Sequence, residues 1–125
     1  MANNYKQPGE TLTWTNTTGT AVASGDVVVL GATSDATLGV ALVDIATGEI
    51  GEVCINGVFE VPKVVAAVFA TGESLVWDAS AGGFDDNAAI PAAGDVSGSV
   101  IAARAGANGA ATCWAKFLGI PGELA

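Results

Sequence analysis

Short apolar runs, each bounded by clusters of Gly, Ser, Thr, Asn and Asp, recur along the whole chain, which is the punctuation of many short strands. This pattern predicts strands over 10–14, 26–30, 37–43, 52–55, 58–61, 74–77, 99–104 and 111–118. In the last of these, Ala111, Cys113, Ala115 and Phe117 share one face, while Thr112, Trp114, Lys116 and Leu118 share the other. Only the first face is uniformly apolar. Asn56-Gly57, between Ile55 and Val58, predicts a two-residue hairpin, because Asn-Gly tolerates the positive φ of a type I′ turn. Residues 62–69 alone look helical, with Pro62 at the first position and Val64, Val65 and Val68 on one side. That predicts a short helix of two turns at most.

Together these elements predict an all-β domain over 10–125, a compact antiparallel β-barrel or sandwich of jelly-roll-like kind. Residues 1–9, with Asn3-Asn4 and Gln7-Pro8-Gly9 and no apolar periodicity, read as an extended N-terminal arm, either frayed or making contacts. Ser24-Gly25-Asp26 followed by Val27-Val28-Val29-Leu30 echoes Thr71-Gly72-Glu73 followed by Ser74-Leu75-Val76-Trp77. Gly39, Ala46 and Cys54 are matched at a spacing of 59 by Gly98, Ala105 and Cys113. Two similar β-units, about 24–61 and 71–118, would account for this; so would chance.

The formal charge of −9 argues against two partner classes. Four cations, Lys6, Lys63, Arg104 and Lys116, are scattered singly, so neither nucleic acid nor an anionic membrane surface is an expected partner. No apolar run approaches a membrane span, and the start Met-Ala-Asn-Asn-Tyr-Lys does not resemble a secretory leader. Cys54 and Cys113 could pair, but reduced thiols packed as small apolar groups are expected. Asn16-Thr17-Thr18 matches the glycosylation triplet, a coincidence in this context.

Histidine is absent, which removes the commonest general base and the commonest metal ligand. The two cysteines lack companions for a zinc site, and neither a Gly-X-Gly nor a Gly-Lys-Ser/Thr cradle occurs, so no cofactor and no enzyme activity are expected. Carboxylates alone remain, among them Glu49, Glu52 and Asp85-Asp86. Beside Gly82-Gly83 the latter read as turn acceptors, with a weak Ca²⁺ site as the alternative. Most aromatics read as core; Tyr5, Trp14 and Phe84 lie on segments where an aromatic could anchor a partner. A non-catalytic ligand- or glycan-binding β module is the alternative function.

Asn3-Asn4-Tyr5-Lys6-Gln7-Pro8-Gly9-Glu10-Thr11-Leu12, Ser24-Gly25-Asp26-Val27-Val28-Val29, Leu38-Gly39-Val40-Ala41, Gly57-Val58-Phe59-Glu60-Val61-Pro62-Lys63 and Val76-Trp77-Asp78, in that order, resemble the small phage capsid cement or decoration proteins. The resemblance runs over nearly the whole chain and departs from the family at 82–98, which is longer. It implies a homo-oligomer, dimer or trimer, that is made in the bacterial cytoplasm, binds the major capsid protein on the outside of the shell and reinforces it. Asn3, Tyr5, Lys6, Pro8, Trp14 and Phe84 are then the expected capsid or subunit contacts. Some relatives carry a recombinase label, which this chain contradicts because it has no phosphate loop.

Overall fold

In the computed structural model, which describes residues 9–31 and 33–125, the described chain is all-β, with ten strands and no helix. The strands are β1 (Thr11–Thr15), β2 (Val27–Leu30), β3 (Asp35–Ala41), β4 (Ile50–Cys54), β5 (Asn56–Pro62), β6 (Ser74–Asp78), β7 (Gly83–Asp85), β8 (Val96–Ala102), β9 (Thr112–Leu118) and β10 (Gly122–Leu124). They form one antiparallel sheet that curls into a half-barrel. The compact β architecture expected from the sequence is therefore present.

Two strands act as hubs. β3 carries β2 along one edge, and its other edge is shared by β10 near Ala36 and by β4 near Val40. β8 repeats the arrangement, with β6 on one edge and the other shared by β10 near Val96 and by β9 near Val100. β10 thus lies between the hubs, Glu123 opposing Asp35 on one side and Ser97 on the other. From β8 the pairing runs through β6 to β7, across a parallel bridge between Phe84 and Lys63, and back through β5 and β9 to β8. Phe84, Phe117, Leu75, Val61 and Val100 fill the space this circuit encloses, and a second cluster of Val28, Ile45, Val53 and Ile55 lies under β1–β4.

One turn recurs three times. In Ala23-Ser24-Gly25-Asp26, Ala70-Thr71-Gly72-Glu73 and Ala92-Ala93-Gly94-Asp95, the fourth N–H donates to the first carbonyl, and the fourth carboxylate accepts the first N–H at 2.9 Å. Glycine at the third place supplies the φ near +90° that such a turn needs. The glycine N–H then donates across the sheet to Ala41, Ala102 and Ala125 respectively. These bonds set Ala41 in correspondence with Ala102, whereas a spacing of 59 aligns Cys54 with Cys113, which stand at different points of their strands.

Two local expectations fail. No hairpin forms at Asn56-Gly57: β4 pairs with β1 and β3, while β5 pairs with β9 over its whole length, from Asn56↔Leu118 to Pro62↔Thr112. Asn-Gly permits a reversal without forcing one, and the longer ladder prevails. Nor is 62–69 a helix. The buried Lys63 ammonium donates to the carbonyls of Val64 (2.7 Å), Val65 (3.0 Å) and Ala67 (2.6 Å), turning those groups inward instead of along a helix axis. A buried cation must be solvated by something, and here the backbone does it. The β-branched valines favour the irregular path, and Val65 and Val68 end up exposed.

Strand β8 contains a bulge. Leu75 opposes Val100 but Val76 opposes Ser97, so Gly98 and Ser99 are extra. The bulge aims the buried Ser99 hydroxyl at β3, where the Leu38 N–H lies between the last β10 pair and the first β4 pair. Leu38 donates to Ser99 Oγ (3.1 Å), which in turn donates to the Ile120 carbonyl (2.9 Å). Ser99→Ala would leave both backbone groups unpaired, and is expected to cost about 1–3 kcal/mol in chemical denaturation and several degrees in Tm.

Cys54 and Cys113 are both free thiols. Burial pushes Cys113 from its ordinary 9.0 up to about 11, the nearby Lys63 charge opposing the shift. The folded state thus disfavours the thiolate, and this contribution to stability is present below pH 9 and lost as pH rises towards 11. The melting temperature of the wild type is expected to fall more steeply across that window than that of Cys113→Ala.

Candidate interaction surface

Strand β9 alternates as its sequence does, burying Cys113, Ala115 and Phe117 and exposing Thr112, Trp114 and Lys116. Its neighbours extend the exposed face: Val58, Glu60 and Pro62 of β5 stand opposite Lys116, Trp114 and Thr112. Trp114 is 42% exposed and Val58 50%, values unusual for large apolar side chains at the middle of a sheet. Just beyond β8, the Arg104 guanidinium lies over the Trp114 ring, 3.9 Å from its centroid. That cation–π contact holds both side chains in one geometry. Thr112 donates to Glu60 at 3.0 Å on the same face, and the Lys116 ammonium makes no hydrogen bond or ion pair among the described residues.

The sequence-predicted contacts fall elsewhere. Asn3, Tyr5, Lys6 and Pro8, with the rest of the expected arm up to residue 8, lie outside the described residues. Trp14 sits opposite Gly51 in β1, half-buried against the second core cluster. Phe84 is a correction. It is fully buried, edge-on to Trp77 (5.1 Å) and Phe117 (6.0 Å), and so has no surface with which to touch a partner. Short β7 hides it, because the glycines that suggested an open turn allow the backbone at Gly83 to approach Lys63 closely. Sequence reasoning passed over Trp114, although its place on the mixed face beside Thr112 and Lys116 was the available signal.

Much of the acidic excess is engaged locally. Asp85 accepts the Asp86 N–H and Asp86 accepts the Ala88 N–H, each at 2.8 Å, the bonds of turn-forming aspartates. Asp78 accepts from the Ala81 N–H, the Ser80 hydroxyl and the Ser80 N–H, which hold its carboxyl below the usual range. No group of three or more ligating side chains that could hold a metal occurs among the described residues. Asn16 is fully buried, its amide donating to Thr20 and Ile45 carbonyls and accepting from the Thr18 N–H and hydroxyl. The triplet that resembles a glycosylation signal is therefore a loop-closing Asx turn.

A family model described as phage cement protein matches residues 6–117 of the 125. Neither the curated proteins nor the solved structures include a match.

Proposed function

The chain belongs to the phage cement protein family, structural proteins of the phage capsid, and from that premise we propose that it binds the outer surface of a tailed-phage shell and cements it without catalysis. Copies bind across seams between major capsid protein subunits, as homo-oligomers, through several small contacts at once. The family match over nearly the whole chain carries this reading. The distribution of exposed apolar side chains supports it. Ile50 lies on β4, Val65 and Val68 on the Lys63 turn, and Ile90 is 92% exposed in the loop between β7 and β8.

Patches of that size are individually weak. Engaged together on a rigid sheet they gain by effective concentration, so occupancy becomes strong without any one large interface. If the seams match only the expanded lattice, binding stabilises that state by mass action. Residues 1–9 are a further contact in this scheme, with Tyr5 as anchor. They precede β1, which lies at the end of the sheet path and, among the described residues, pairs only with β4.

Purified chain is expected to co-sediment with expanded empty shells and to raise their melting temperature. Deleting residues 2–9 should lower occupancy at a fixed concentration. Failure of the full chain to bind would sink the cement reading, while full occupancy by the deletion variant would remove the arm from it.

A further inference from the structure

We infer that the Arg104–Trp114–Lys116 face binds the Asp35–Glu123 pair of a second copy of this chain, head to tail. Of the four cations, Lys63 is buried and Lys6 lies outside the described residues, so Arg104 and Lys116 are the exposed cations of the described surface. Both belong to one face, around a half-exposed tryptophan, in a chain of net charge −9. Such a face calls for an acidic partner, and another copy is one.

The complement is specific. Asp35 and Glu123 are directly opposed in the β3–β10 ladder, and both are exposed. Opposed residues of an antiparallel pair project on the same side, so two like charges are held as neighbours, an arrangement that costs stability in the isolated chain. Neither carboxylate has a hydrogen-bond or ion-pair partner among the described residues. A cation brought against them turns the repulsion into attraction. Arg104 is already held on the Trp114 ring, so it loses little freedom when it pairs, and a planar guanidinium suits a carboxylate. Arg and Trp are also the residue types that most often dominate contact energies.

The two faces are different surfaces, so the contact is heterologous and repeats from copy to copy, closing into a ring where the rotation allows. It deepens the cement reading by naming the subunit contact of the oligomer, and it is tested without shells.

In sedimentation velocity at low salt, the wild type is expected to self-associate with rising concentration and to dissociate as salt is added. Arg104→Glu with Lys116→Glu, or Asp35→Lys with Glu123→Lys, should each weaken association roughly tenfold or more while leaving the far-ultraviolet spectrum unchanged. Trp114→Ala should weaken it too. The variant carrying all four reversals presents complementary faces again and should recover. A wild type that stays monomeric at every concentration overturns the inference, as does a fourfold variant that does not recover. Self-association that survives Arg104→Glu with Lys116→Glu while shell binding is lost would assign the face to the capsid and also overturn it. Loss of shell binding by a chain that still assembles through these charges would count against the cement reading alone.

Discussion

A side chain cannot be added to Gly122. Its Cβ would collide with the Ser97 carbonyl and press on the Ser99 N–H, because β10 is wedged against β8 while it also pairs with β3. That close approach joins the two hub strands. Without β10, the edges of β3 and β8 would be linked there mainly by the Ser99 hydroxyl, which spans from the Leu38 N–H to the Ile120 carbonyl. The half-barrel, the two core clusters beneath it and the relative placement of the Asp35–Glu123 pair and the Trp114 face all depend on this junction. A three-residue strand is enough because both of its edges are occupied.

The acidity of the chain has a structural component that net charge conceals. Asp26, Glu73 and Asp95 each return a carboxylate to the first N–H of their own turn, and each turn launches a strand: β2, β6 and β8. A carboxylate accepting a backbone N–H is a charge-assisted bond, stronger than its neutral counterpart. Replacing these acids to reduce repulsion between copies would therefore unfasten strand starts. The carboxylates free to meet a partner are fewer than the composition suggests, and of those without a side-chain partner among the described residues, Glu10, Asp35, Glu49 and Glu123, only Asp35 and Glu123 stand directly opposed in a ladder.

The central parts of the strands were legible because period-two alternation is a strong signal wherever one face is buried. β7 and β10 were not, being three residues each and set among glycines that read as turns. The error over 62–69 has a definite source. Pro followed by Val and Ala fits a helix start, and nothing local reveals that Lys63 will be buried and gather its own downstream carbonyls. Phe84 was misplaced for a related reason: its neighbours describe a turn, but its partners Trp77 and Phe117 lie in other strands. The contact face was half legible. Alternation in 111–118 isolates Trp114 and Lys116, but only the fold brings Arg104 onto the ring.

The same junction has a kinetic meaning. The Lys63 network closes within four residues of its own position, a loop of small entropic cost, whereas β10 must find β3 across most of the chain. Pairings of such sequence separation form late. Until that pairing forms, β3 presents an unpaired edge near Ala36, whereas β8 can already be covered by the nearby β10, and the nascent sheet is most open to another chain at β3 in that interval. The pairing that joins the two hubs is thus also the last to protect the edge of β3.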